Sequence, residues 1–278
     1  MISKLLVVAG GGSYPRLVVE GARRAGVARV DVLAVKGSCV RATRAAADNV
    51  VAFAAGECDL AAKWAGEQGY DGVILAGQVS PLSLFRGKFD ETVRGWLKAM
   101  PVKNAHTIFG KLVGEFERCG AKVLPASSYM DDSLPGVGKL TERDLTDLER
   151  DDVKRGVQVA ADVGRHDVGQ TVLVKSGMVL AVEAFEGTNA AIRRAGKLGK
   201  GSIIFKAARE GHDWRFDIPV VGLKTLKTMK KAGVTALAFQ AGRLILLDRE
   251  TVIAYANRHD IAIVGIDSGL PPAPVRPE

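Results

Sequence analysis

Cysteine is scarce: Cys39, Cys58 and Cys119 stand far apart in 278 residues, with no C-x-x-C spacing. Such a set builds neither a disulfide framework nor a zinc site, so the three read as free, buried or half-buried thiols. Aromatic residues make up only 6% of the chain, and no basic stretch interleaved with aromatics and no nucleic-acid-binding module occurs. This removes stacking on single strands, and nucleic acid generally, as the expected partner. No apolar run reaches the roughly 18 residues of a membrane span. The start MISKLLVVAGGG breaks into glycine before a signal-peptide core forms. The mature chain is therefore expected to begin at Met1 and to stay in the cytoplasm.

What is present is enough apolar sequence for a full core. At 278 residues and 47% hydrophobic, the chain has room for two domains. The net charge of +8 would attract any polyanion. With nucleic acid set aside, phosphorylated small molecules and an anionic membrane surface are the expected counterparts.

The first half alternates short apolar strands with helices, the pattern of a doubly wound parallel sheet. Strands are expected at Ser3–Ala9, Val30–Val35, Val50–Phe53, Gly72–Ala76 and Val123–Leu124, and helices at Pro15–Ala25, Leu60–Glu67 and Thr107–Cys119. Between Ser127 and Asp152 this rhythm stops, and the charged run ERDLTDLERDD closes the stretch. The reading is a Rossmann-like nucleotide-binding domain over 1–130, a linker over 131–152 and a distinct α/β domain over 153–278. In the last, helices are expected at Val153–Val163, Leu223–Lys231 and Arg249–His259, with strands at Thr171–Lys175, Val179–Ala184, Ser202–Phe205 and Ile261–Ile266. Ala236–Phe239 and Leu244–Leu247 read as a hairpin around Ala241-Gly242. The proline-rich tail GLPPAPVRPE reads as unstructured.

Gly10, Gly11 and Gly12 follow a predicted strand and precede a helix opened by Tyr14 and Pro15, where backbone amides can approach a phosphate or sugar. The alternative is a tight turn with no ligand. The third position of a G-x-G-x-x-G fingerprint is Pro15, and the second strand ends at Lys36 rather than at an acid for a ribose hydroxyl. A nicotinamide oxidoreductase is thereby disfavoured, and the absence of a GKS or GKT loop removes ordinary ATP chemistry. Gly77, Gln78 and Val79 end the fourth strand on the same carboxyl edge, so two loops would frame one crevice.

Three segments are denser in polar groups than their flanks: Lys103–Thr107, Glu183–Asn189 and Asp213–Pro219. Alternation along VLAVEAFEG puts Glu183 and Phe185 on one strand face, and a carboxylate in an apolar strand needs a partner. Gly187, Thr188 and Asn189 then open a helix that Thr188 or Asn189 would cap. Asp217 is the first choice for metal binding, because magnesium takes one or two carboxylates and completes its shell with substrate phosphates. Arg215 would project to the same side of an extended segment, or simply pair with an aspartate at the surface. His106 would polarise a leaving group or cap its helix, and Lys206 would neutralise phosphate or end a strand in solvent.

The joint order of AGGGSYP, LAGQVSP, VGQTVLVKSGMVLAVEAFEGTN, RFDIPVVGLKT, AGRLILLDRE and IAIVGID resembles the LpxI-type UDP-2,3-diacylglucosamine pyrophosphatases across most of the chain. The resemblance implies magnesium-dependent hydrolysis of UDP-2,3-diacylglucosamine to UMP and 2,3-diacylglucosamine 1-phosphate in lipid A synthesis, by a homodimer that touches the inner membrane surface transiently. It implies Asp217, Arg215 and Lys206 as the catalytic group, with Asp217 holding the metal. Substrate contacts are implied at Gly10, Gly11, Gly12, Tyr14, Pro15, Gly77, Gln78, Val79, Asn104, His106, Thr107, Glu186, Gly187, Thr188 and Asn189. Where many members read K-G-D-D-A-L-L, this chain has Lys103-Asn104-Ala105-His106-Thr107-Ile108-Phe109. Where many read E-G-T-D, it has Glu186-Gly187-Thr188-Asn189. The loss of three carboxylates leaves a second expectation, a nucleotide-sugar or lipid-phosphate binding protein without turnover.

Overall fold

The computed structural model describes residues 2–78, 91–100, 105–208, 213–269 and 273–274. The chain divides into two compact units, and the division is not contiguous. The first unit takes the chain up to Asp131 and then takes back Asp213–Asp217 and Pro274; the second holds the chain from Asp132 and Ile218–Ala273.

In the first unit, strands β1 (Lys4–Ala9), β2 (Arg29–Val35), β3 (Val50–Phe53) and β4 (Gly72–Ala76) form a sheet of order β3-β2-β1-β4. Every pairing is parallel. β1 lies at an interior position, and Leu5, Leu6, Val7 and Ala9 are fully buried. A strand covered on both faces must read as a continuous apolar run, which is what LLVVA does. Helices α1 (Tyr14–Arg24), α2 (Arg41–Ala46), α3 (Cys58–Glu67), α4 (Glu91–Ala99) and α5 (Ala105–Arg118) complete the unit. α3 and α5 cover one face, where Ala61, Ala65, Val113 and Phe116 pack on Leu6, Val8, Leu33 and Val73. Val123 adds one parallel bridge to Val73, so the expected fifth strand is present as a single rung.

The second unit has, among the described residues, a six-stranded sheet of order β5-β12-β10-β8-β6-β7: β5 (Gly138–Lys139), β6 (Thr171–Lys175), β7 (Met178–Val182), β8 (Ile203–Lys206), β10 (Ala236–Gln240) and β12 (Ala262–Ile266). β8, β10 and β12 are mutually parallel, while β6 runs against both β8 and β7. The carboxyl ends of β7, β8, β10 and β12 therefore share one edge. Helix α6 (Asp147–Arg165) covers one face through Val153 and Ala160. Helices α7 (Thr188–Leu198), α8 (Leu223–Ala232) and α9 (Arg249–Arg258) cover the other through Ile192, Leu226, Met229 and Val252.

Three expectations are corrected here. The stretch 131–152 is more than a linker: it carries β5, and α6 starts inside it. Thr146 caps that helix, accepting from Glu149 N at 3.2 Å, while the Glu149 carboxylate accepts from Thr146 N at 2.9 Å. This is a capping box, written in the sequence as T-x-x-E. The expected hairpin around Ala241-Gly242 is also absent. β11 (Ile245–Leu246) pairs in parallel with β9 (Val220–Val221), and Gly242 N donates to Pro135 O at 2.8 Å. Two residues of apolar sequence do not specify a partner strand, and Pro219 O takes the Ile245 amide instead. Third, β7 stops at Val182, so the alternation drawn through Phe185 fails, and Phe185 is 93% exposed. Of the tail, Ala273 N donates to Gly242 O at 2.8 Å, and most of the rest lies outside the described residues.

Candidate active site

At the carboxyl edge of the first sheet, two glycine loops are hydrogen-bonded to each other. Gly11 N donates to Gln78 O at 2.7 Å and Gln78 N donates to Gly11 O at 3.0 Å, while Gly10 N reaches Ala76 O at 2.9 Å. A Cβ on Gly10 would sit 2.6 Å from Gln78 O, and one on Gly77 would sit 2.7 Å from Gly11 O and 2.8 Å from the Pro15 ring. Gly10 and Gly77 are thus glycine because two backbones touch. Gly77 also has a φ of +90°; Gly12, at φ +87°, differs in that the space beside it is open. Ser13, at the N-cap of α1, makes no side-chain capping hydrogen bond, and the first turn of a helix is where amides can meet an anion. Tyr14 and Pro15 are both buried. Tyr14 is 7% exposed, its hydroxyl donates to Ala126 O, and burial pushes its pKa up. Val79 lies outside the described residues.

The segment Asp213–Asp217 joins the same unit. It is a turn rather than an extended stretch, closed by Asp217 N donating to Asp213 O at 2.9 Å. Trp214 O accepts from Ala126 N at 2.7 Å, three residues beyond the Val123 rung. Phe216 stacks on Phe109 of α5 with ring centroids 6.1 Å apart. Arg215 does not project alongside Asp217. Its Nε donates to Asp213 Oδ1 at 2.9 Å, one terminal nitrogen to Asp213 Oδ2 at 2.6 Å, and the other to Glu117 Oε1 at 2.6 Å. Hydrogen bonds to Asp213 and Glu117 raise the guanidinium pKa further. The pairing with an aspartate that the sequence allowed is made with Asp213, whereas Glu117 escaped the sequence reading, because nothing local marks a partner 98 residues away. His106 and Thr107 occupy the first turn of α5. The His106 side chain and Asn104 lie outside the described residues.

In the second unit, the polar groups gather where β7 leaves the sheet. Gly187, with φ +78°, precedes α7 and Thr188 is its first residue, so neither Thr188 nor Asn189 serves as the side-chain cap. Thr188 Oγ1 instead donates to Glu183 Oε1 at 2.8 Å and accepts from Lys206 Nζ at 3.0 Å. Lys206 also donates to Thr171 Oγ1 at 2.9 Å and to Glu183 Oε2 at 3.4 Å. Burial would raise the Glu183 pKa, but the Lys206 charge and the two threonine hydroxyls outweigh it and hold the carboxyl below its ordinary range. The sequence expected Lys206 either on phosphate or in solvent. In this structure it is 4% exposed and bonded within the protein. Glu186 pairs with Arg194 at 2.6 Å, and Asn189 Oδ1 is buried with no hydrogen-bond partner.

Among the described residues, no three His, Cys, Asp or Glu side chains gather around a point that would hold a metal. Asp217 carries a hard carboxylate, and the Asp213 carboxylate accepts from Arg215. That donor set fits magnesium in the shared mode, in which substrate phosphates complete the shell.

Comparison with known proteins places these features. Residues 4–133 match the family model of the LpxI N-terminal domain and residues 136–264 that of the LpxI C-terminal domain. The UDP-2,3-diacylglucosamine pyrophosphatase LpxI of Caulobacter vibrioides is 31% identical over 218 residues, which cover 72% of this chain and 76% of that one. Among solved structures, the biotin carboxylase subunit of a pyruvate carboxylase matches 62% of this chain and 35% of its own, at 15% identity and a TM-score of 0.28. The biotin carboxylase domain of Hydrogenobacter thermophilus 2-oxoglutarate carboxylase matches 64% and 36% at 12% identity, with a TM-score of 0.26. Likeness that slight says nothing about chemistry. Two domain matches in sequence order, together spanning nearly the whole chain, make this protein a member of the LpxI family.

Proposed function

We propose that the protein hydrolyses the pyrophosphate of UDP-2,3-diacylglucosamine, releasing UMP and 2,3-diacylglucosamine 1-phosphate for lipid A synthesis. The relative from Caulobacter vibrioides, which carries the name of this activity, supports the reading. The observation that carries it is the return of Asp213–Asp217, with its carboxylates, to the unit whose sheet edge bears the glycine loops. Strand ends at such an edge are where open α/β sheets bind nucleotides.

In this mechanism the oxygen of water bonds to one phosphorus, the P–O–P bridge breaks, and the bridging oxygen leaves on the other phosphate. Bound magnesium would neutralise the diphosphate and its leaving group. Asp217 would hold the ion from the protein side and orient the water. Arg215 keeps the turn carrying Asp217 in place through Asp213 and Glu117. The amides at the start of α1 and the open backbone at Gly12 would take the nucleotide phosphate. Glu186, Gly187, Thr188 and Asn189 are further substrate contacts in this reading.

No helix among the described residues is long and apolar enough to cross a membrane. The reading includes a cytoplasmic homodimer drawn to the inner membrane by its +8 charge and its acylated substrate. Purified protein given UDP-2,3-diacylglucosamine and magnesium should release UMP, and chelation should stop it. Substrate that stays intact yet bound would replace this reading with a binding protein without turnover.

A further inference from the structure

The polar groups at the head of α7 form a closed circuit. An ammonium has three N–H donors, and those of Lys206 are matched by Thr171 Oγ1, Thr188 Oγ1 and Glu183 Oε2. The Thr188 hydroxyl in turn donates a hydrogen bond to the other oxygen of the same carboxylate. The circuit joins four pieces of backbone: the start of β6, the exit of β7, the first turn of α7 and the end of β8. A cation beside the first turn of a helix is opposed by the helix dipole, so Lys206 needs Glu183 there, and Glu183 at its depth needs Lys206. Between Glu183 and Thr188 the chain turns outward, leaving Phe185 in solvent.

We propose that Lys206 is a positioning residue: paired with Glu183, it fixes the Glu186–Asn189 turn for substrate and does not itself touch a phosphate. The proposal rests on the reading above that this turn contacts substrate. It separates cleanly from a phosphate contact. If Lys206 acts through Glu183, the damage done by removing it comes from the stranded carboxylate, and neutralising that carboxylate repairs the damage. If Lys206 acts on phosphate, nothing done to Glu183 restores the missing charge.

The test compares wild type, Lys206→Met, Glu183→Gln and the double variant at a temperature where circular dichroism shows them folded. Lys206→Met should lose about 100-fold in kcat/KM on UDP-2,3-diacylglucosamine, and the double variant should return to within about 10-fold of wild type. A folded double variant as slow as Lys206→Met overturns the proposal. If Lys206→Met does not fold, the double variant against wild type decides by the same margin. Amide hydrogen exchange at Ala184–Ala190 gives a readout free of turnover: it should quicken in Lys206→Met and slow again in the double variant, and unchanged exchange overturns the proposal. A wild type that cleaves nothing would sink the functional reading, while the exchange data would still judge the circuit.

Discussion

The Arg215 guanidinium reaches the Glu117 carboxylate at 2.6 Å across 98 residues of sequence. With its other nitrogens on Asp213, it clamps the turn that carries Asp217 to the last part of α5. The side chains are 36% and 43% exposed, so water screens the pair and its direct worth to stability is small, about 0–1 kcal/mol. Its role is therefore geometric. Arg215→Ala should lower kcat by about 10- to 100-fold, the scale for a displaced catalytic group. Urea unfolding should move by less than about 1 kcal/mol. Initial rates and a urea melt on one preparation test both halves.

Asp217→Asn keeps the shape of the side chain and removes its charge. UMP release should fall by at least about 100-fold, in keeping with the loss of a positioned reacting group. The melting curve should stay within about 0.5 kcal/mol of wild type. Native turnover in this variant would move the metal and the water elsewhere.

The glycine loops separate two kinds of cost. Gly10→Ala drives a Cβ to 2.6 Å from Gln78 O, and backbone cannot step aside as a side chain can. The loss of stability should be about 2–4 kcal/mol. Gly12→Ala meets no neighbour and carries only the strain of φ +87°, a cost of about 1 kcal/mol. Guanidinium melts of both should rank Gly10→Ala well below Gly12→Ala.

Glu183 makes stability sensitive to acid. Its folded pKa is held below the ordinary glutamate value, so the unfolded chain binds the proton more tightly. The stability it contributes is complete above the ordinary range near about 4.3. That contribution drains away as pH falls through the lower folded value. Glu183→Gln should therefore be less stable at neutral pH and lose less than wild type on acidification. Thermal melts across that range, with parallel curves for the two proteins, would contradict the assignment.

The capping box gives a control remote from the chemistry. Thr146→Ala should destabilise by about 1 kcal/mol with kcat unchanged. A change in kcat as large as that of Arg215→Ala would show that α6 does more than cover the sheet.

Local order was legible in the amino acids themselves. The run LLVVA announced a strand and the glycines after it a sheet-edge loop, because each depends on neighbours a few residues away; T-x-x-E stands in the sequence too, yet the helix is expected there only from Val153. The sequence also marked Glu183 as a carboxylate in need of a partner. It did not say which: Lys206 arrives from 23 residues downstream through the antiparallel pairing of β6 and β8. Register decided that Thr171 stands opposite Lys206. The failed hairpin at Ala241-Gly242 and the return of Asp213–Asp217 to the first unit have the same cause. Short apolar or charged segments accept several partners, and only the packing of the whole chain chooses among them. Tertiary structure thus assigned both expected cations to carboxylates, Arg215 to Asp213 and Glu117 and Lys206 to Glu183, because burial or close packing leaves a charge costly until an opposite one meets it.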